Sequence, residues 1–165
     1  MNHNLVLIFD LDDTLYRRFG VVDDDNSGIE NIKLLPGVKD FLENTKHDLI
    51  LVTKGISGVP EIQNKKIDLL GIRKYFKEIM ICFSDESKRD CFEEISHKFP
   101  LQSLIVIGDR INSEIRFGNS LNLTTILIRS GKYKDLKAEN DLEIPNYEIK
   151  QFTELFGVLN KICKQ

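Results

Sequence analysis

Residues 9–15, FDLDDTL, place Asp10, Asp12 and Asp13 within four positions, directly after the apolar run LVLIF at 5–9. Carboxylates this close repel one another, and taking them out of water is costly unless a cation or hydrogen-bond donors offset the charge. Three later stretches carry groups suited to that. LVTKG at 51–55 brings Thr53 and Lys54, SDESK at 84–88 brings Lys88, and GDRINSE at 108–114 brings Asp109, Asn112 and Glu114. Acidic oxygens hold Mg²⁺ while a hydroxyl and an ammonium hold phosphate oxygens, so the four stretches have the composition of a metal–phosphate site.

For that site to exist, the chain must bring the four stretches to one edge. Each follows, or closely follows, a short β-rich apolar run: LVLIF (5–9), LILV (49–52), IMICF (79–83) and SLIVI (103–107), with a fifth run, TTILI, at 124–128. Between them lie segments of helical periodicity. Val38, Phe41 and Leu42 follow Pro36-Gly37; Ile62, Leu69 and Leu70 follow Pro60; Phe92, Ile95 and Phe99 share a face, as do Phe152, Leu155, Phe156, Leu159 and Ile162. Continuously apolar strands alternating with helices predict an α/β fold, a doubly wound, Rossmann-like parallel sheet of five strands with helices on both faces. Ligands of such sheets bind outside the carboxyl ends of the strands, which is where the candidate residues stand.

Composition narrows the classes. A chain of 165 residues with 41% hydrophobic and 30% charged residues fits one globular domain. A net charge of −3 offers no basis for binding nucleic acid or an anionic membrane, and no apolar run has the length of a membrane span. The N-terminal MNHN lacks a basic region and the first apolar run ends in aspartates, so no secretory signal is expected. Cys82, Cys91 and Cys163 show no metal-ligand spacing and read as reduced thiols, which points to the cytoplasm.

DLDDTL resembles the DxDxT signature of the haloacid dehalogenase-like (HAD) superfamily, whose members are mostly phosphohydrolases. LVTKG resembles the second motif, Lys88 the third and GDRINSE the fourth, in the family's order and over most of the chain. The resemblance implies a Mg²⁺-dependent phosphomonoester hydrolase working through an aspartyl-phosphate. Asp10 would be the nucleophile, and Asp12 would protonate the leaving oxygen and then deprotonate water. Thr53 and Lys88 would bind phosphoryl oxygens, with Lys54 beside them. Asp10, the Asp12 carbonyl and Asp109 would hold Mg²⁺. Dehalogenases of the superfamily lack an acid at the position of Asp12, so its presence favours phosphate chemistry.

Two departures stand out. Many members carry an aspartate after the GD pair of the fourth motif, where this chain offers Asn112 and Glu114; Glu114 could reach the metal through water. Lys54 stands where asparagine is common. Each residue also has a structural reading. Asp13 and Thr14 suit the turn after a strand, the reading preferred for Asp13. Thr53 suits a strand end, Asp109 a helix N-cap, and Arg89 rivals Lys88. The run Asp23-Asp24-Asp25 reads as a solvated loop, and His3, His47 and His97 fall in no motif.

Superfamily members commonly carry a cap domain after the first or second motif. Here both intervals are taken up by elements of the sheet, leaving about residues 15–35 for a flap, so the expectation is a single capless domain over 1–165. An open site accepts a phosphorylated small molecule or macromolecule, or is covered by a second copy of the chain. Lys54, Arg110, Arg129 and Lys132 are candidates for its entrance. Two alternatives stay open: a degenerate phosphate-binding module, and a receiver-like phospho-acceptor, for which Asp85 after the third strand is the nearest aspartate.

Overall fold

The computed structural model describes residues 4–18, 28–55 and 60–164. Its sheet comprises β1 (Val6–Phe9), β2 (Asp48–Lys54), β3 (Glu78–Cys82), β4 (Leu104–Gly108), β5 (Thr124–Ile128) and β6 (Tyr147–Ile149). The strands lie in the order β3-β2-β1-β4-β5-β6, with every neighbouring pair parallel. Winding reverses between β1 and β4, which creates the crevice where such sheets bind ligands. Receiver-type sheets have the order 2-1-3-4-5, so the strand order removes the receiver reading.

Among the described residues five α-helices cover the sheet: α1 (Val38–Asn44), α2 (Pro60–Leu69), α3 (Asp85–Lys98), α4 (Arg116–Ser120) and α5 (Leu155–Ile162). A wide π-helical turn, Ile111–Ile115, leads into α4. Because successive strand residues point to opposite faces, β1 divides the core. Leu7 and Phe9 pack with Phe41 of α1, Ile67 of α2 and Leu155 of α5, whereas Val6 and Ile8 pack with Phe92 and Ile95 of α3. Both faces are covered, as the apolar runs require.

Among the described residues the sheet has six strands where five were expected. Tyr147–Ile149 is only three residues long, has Glu148 at its centre and pairs with β5 alone, so it carries no apolar run. Phe9, Phe41 and Phe152 pack with ring centroids 5.6–6.1 Å apart, fixing the end of β1 just before Asp10. The expected flap lies partly outside the described residues, as does the acidic run at 23–25. Its described parts are a one-turn helix, Ile29–Asn31, and a bridge between Tyr16 and Leu34. Among the described residues no helix is long and apolar enough to cross a membrane.

Candidate active site

The ladder between β1 and β4 ends where the Asp10 N–H donates to the Ile107 carbonyl at 3.0 Å. Beyond it the chain turns sharply, with the Thr14 and Leu15 N–H groups both donating to the Leu11 carbonyl. Asp13 takes a φ of +58°, which aspartate tolerates better than most residues. Its carboxylate accepts from the Arg18 N–H and Nε and from the Lys132 N–H, and its carbonyl accepts from Ser130 Oγ at 2.8 Å. Gly131 leaves room for this clamp: a Cβ there would lie 2.2 Å from Asp13 Cγ. Asp13 is thus the turn residue it was expected to be.

Lys88 is delivered by the start of α3. Ser84 caps the helix, accepting from the Ser87 N–H at 3.1 Å while Ser87 Oγ accepts from the Ser84 N–H at 2.8 Å. One turn in, Lys88 is 3% exposed, and its Nζ donates to Asp10 Oδ1 at 2.6 Å and to Glu114 Oε1. The rival Arg89 is exposed. Thr14 Oγ1 reaches the other Asp10 oxygen at 3.3 Å, a contact the sequence did not suggest. Burial pushes the Asp10 carboxyl up to about 6, while the Lys88 ammonium opposes that rise and Glu114 and Asp12 add to it.

Glu114 has partners the sequence did not suggest. Its Oε1 accepts from Lys88 and its Oε2 from the Arg110 N–H at 3.1 Å, which makes it the lysine's second partner. Gly108 permits this, since a Cβ there would lie 2.5 Å from Glu114 Cγ. Asn112 is exposed and does not line the cavity. Asp109 is 3% exposed and its Oδ2 has no hydrogen-bond partner among the described residues. Burial, then Glu114, Asp10 and Asp13, push its carboxyl up to about 9. A buried carboxylate oxygen without a donor, at a strand end beside Asp10, fits a cation. Among the described residues no three His, Cys, Asp or Glu side chains form a ready metal cage. Mg²⁺ asks for less, because it keeps several waters and takes one or two carboxylates.

Asp12 has partners that no motif announced. Its Oδ1 accepts from Lys66 Nζ at 2.8 Å and from the Tyr16 hydroxyl, and its Oδ2 accepts from Gln63 Nε2 at 2.6 Å. Burial alone would raise the Asp12 carboxyl, but Lys66 with Tyr16 and Gln63 outweighs it and holds the group below the usual carboxylate range. Gln63 also donates to Thr53 Oγ1 at 2.7 Å and to the Lys54 carbonyl at 2.9 Å. Thr53 is fully buried and stands behind Gln63, so Lys54 and Gly55 line the cavity and the threonine does not. Gln63 and Lys66 sit three residues apart and Lys66 beside Ile67, all three buried. Polar residues at core positions of a helix are the signal that could have found them.

These residues open into one cavity of about 240 Å³, lined by Asp10, Asp12, Lys88, Asp109 and Glu114 within and by Arg18, Lys54, Asp85, Arg110 and Tyr133 nearer its mouth. Arg129 is not among them: it donates to the Leu136 carbonyl and pairs with Glu148.

The sequence model of the family described as HAD-hyrolase-like matches residues 87–155. A glyceraldehyde 3-phosphate phosphatase of Methanopyrus kandleri is 30% identical over 113 residues, 66% of this chain and 48% of the relative. The chain belongs to the HAD superfamily. Another member, the pyrimidine 5'-nucleotidase PynA of Streptococcus pneumoniae, is 26% identical over 137 residues, 77% of this chain and 54% of its own. The HAD-hydrolase YfnB of Bacillus subtilis, in a crystal form bound to magnesium, has the same fold, with a TM-score of 0.74 at 20% identity over 94% of this chain and 98% of that one. The chain spans about half the length of the curated relatives it matches. It thus presents the HAD strand order and the motif residues Asp10, Asp12, Lys88 and Asp109 at one crevice.

Proposed function

We propose that the chain is a Mg²⁺-dependent phosphate monoester hydrolase with Asp10 as nucleophile. The observation that carries this reading is the Asp10–Lys88–Glu114 chain of ion pairs, buried at the end of β1 beside the unpartnered oxygen of Asp109. Phosphatases among the relatives support the same chemistry.

Lys88 holds the Asp10 carboxylate and offers its charge to the phosphoryl oxygens, while Glu114 and Thr14 fix the lysine and the nucleophile. Mg²⁺ would be held by the carboxylates of Asp10 and Asp109 and the Asp12 carbonyl, and when bound it offsets the negative charge of phosphate and carboxylates. An Asp10 oxygen attacks phosphorus and the bond to the leaving oxygen breaks; Asp12, kept ionised in the free protein by Lys66, Tyr16 and Gln63, gains the proton it passes to that oxygen only once the negative phosphate is bound. Water then attacks phosphorus and gives a proton to Asp12, the bond between phosphorus and the Asp10 oxygen breaks, and phosphate leaves with the Asp10 carboxylate restored. Thr53 acts through Gln63, keeping the Asp12 carboxylate in place.

No helical cap is built by the described residues between β1 and α1, which suits a single domain with an open site. Phosphate release from an aryl phosphate and a panel of metabolites tests the reading. Repeated turnover that needs Mg²⁺, stops with chelator and is absent in Asp10→Asn is expected. Turnover persisting in Asp10→Asn, or none by the native chain on any member of a broad panel, contradicts it.

A further inference from the structure

The phosphoryl centre accounts for the inner half of the cavity and leaves its mouth unexplained. Lys54 and Arg110 both face Asp85, with Lys54 Nζ at 3.1 Å and Arg110 Nη1 at 3.7 Å. Arg18 pairs with Asp13 at 3.1 Å. Three cations surround one aromatic ring: Arg110, Lys132 and Arg18 lie 4.8, 5.5 and 5.9 Å from the Tyr133 centroid. Among the described residues, then, Lys54 and Arg110 at the mouth share one carboxylate, Asp85. Arg110 Nε is buried and has no hydrogen-bond partner among the described residues. A guanidinium N–H left without an acceptor is costly, and Arg110 lines the cavity, where a guanidinium is suited to an anionic ligand.

We infer that Arg110, Lys54 and Tyr133 form a second anion subsite, so that the preferred substrate is a small phosphate monoester carrying another anionic group, a carboxylate or a second phosphate, on its leaving portion. This rests on the phosphatase reading for the inner half of the site. Tyr133 holds the Arg110 guanidinium by its ring face and Asp85 holds it from the side, so the fork is fixed in advance. Asp85 also keeps Lys54 at the mouth. A cavity of about 240 Å³ lies below the ~300–1,000 Å³ of drug-sized sites, which suits a short spacer between the two anions. Arg110 follows Asp109 directly, so substrate discrimination and the phosphoryl centre are built on the same strand end.

Matched pairs of esters test the subsite. The first pair is the phosphate ester of 3-hydroxypropanoate and that of its neutral amide; the second is propane-1,3-diol bisphosphate and the corresponding monophosphate. A charge-assisted hydrogen bond is worth roughly 1.5–3 kcal/mol, so the charged member of at least one pair should exceed its partner in kcat/KM by about tenfold or more. The pair with the larger ratio identifies the anion. In Arg110→Gln, and more weakly in Lys54→Gln, that ratio should fall towards one. Ratios within about twofold of one in the native protein, or unchanged in Arg110→Gln, would overturn the inference. If no ester is hydrolysed, the phosphatase reading fails by itself, and the same ratios are then measured as dissociation constants on Asp10→Asn by calorimetry. A preference for the charged members there upholds the subsite, and equal affinities refute it.

Discussion

Lys66 and Asp12 form an ion pair in which the lysine is wholly buried: its Nζ lies 2.8 Å from Asp12 Oδ1, and its side chain is 0% exposed against 18% for the aspartate. The second acid of the DxD signature is therefore held from behind by α2, through Lys66 and Gln63, and from its own turn by Tyr16. Replacing one partner of a buried pair leaves the other charge uncompensated.

Lys66→Met should accordingly destabilise the fold by about 3 kcal/mol, and Asp12→Asn in the same background should recover part of that loss. Urea unfolding of the two single variants and the double variant measures the coupling. Additive effects would show that the pair contributes nothing of its own.

Asp109 predicts an unusual pH dependence. Its carboxyl is raised from the ordinary 3.8 to about 9, so the folded protein holds this proton more tightly than the unfolded chain. The contribution is fully present below about pH 4 and is lost as pH rises through about 9, because ionisation is then imposed on a buried group. A cation at Asp109 reverses the sign. Melting temperatures of the metal-free protein between pH 5 and 9 should show an Asp109-dependent decline that Mg²⁺ abolishes. Asp109→Asn should remove both the decline and the Mg²⁺ response, and a full Mg²⁺ response in that variant would rule out Asp109 as a ligand.

His47 gives a dependence of the opposite sign, far from the site. Its Nδ1 accepts the Leu5 N–H at 3.3 Å, and burial lowers the imidazole below its ordinary 6.5, with Asp48 opposing. The neutral ring's contribution is present above about pH 6.5 and is lost as pH falls below it. Denaturant midpoints from pH 7.5 to 5 should fall in the native chain and stay flatter in His47→Gln; parallel curves would remove His47 as the cause.

Gly108→Ala tests the support under Lys88. The added methyl meets Glu114 Cγ at 2.5 Å, so Glu114 must shift away from Lys88. A loss of roughly 1–3 kcal/mol, with a lower kcat, is expected, and unchanged stability and turnover would mean that Glu114 is not needed where it stands.

Much of the site was readable from the chain because β1, β2 and β4 end in their motif residues, and a parallel sheet aligns strand ends whatever the loops do. Lys88 was readable with less certainty, since Arg89 is equally basic; only the Ser84 cap, by setting the phase of α3, turns one inward and the other out. The partners of Asp12 were hidden for a different reason. Gln63 and Lys66 lie on a helix of low amphipathic contrast, where buried polar residues weaken the apolar stripe that would mark the face. Glu114 was seen, but its contact with Lys88 was not, because the wide turn at Ile111–Ile115 and the absence of a side chain at Gly108 together bring it to the lysine. β6 escaped because a three-residue edge strand with a central glutamate has no period to detect.

The most direct test of the central claim is to trap the phosphoryl group on the protein. The chain is mixed with excess aryl phosphate and Mg²⁺, quenched in acid, reduced with borohydride, digested and sequenced by mass spectrometry. An aspartyl-phosphate is reduced to homoserine, so the account predicts homoserine at position 10 that requires substrate and is absent in Asp10→Asn. Repeated phosphate release with homoserine at another aspartate, Asp12 or Asp85 for example, would contradict it.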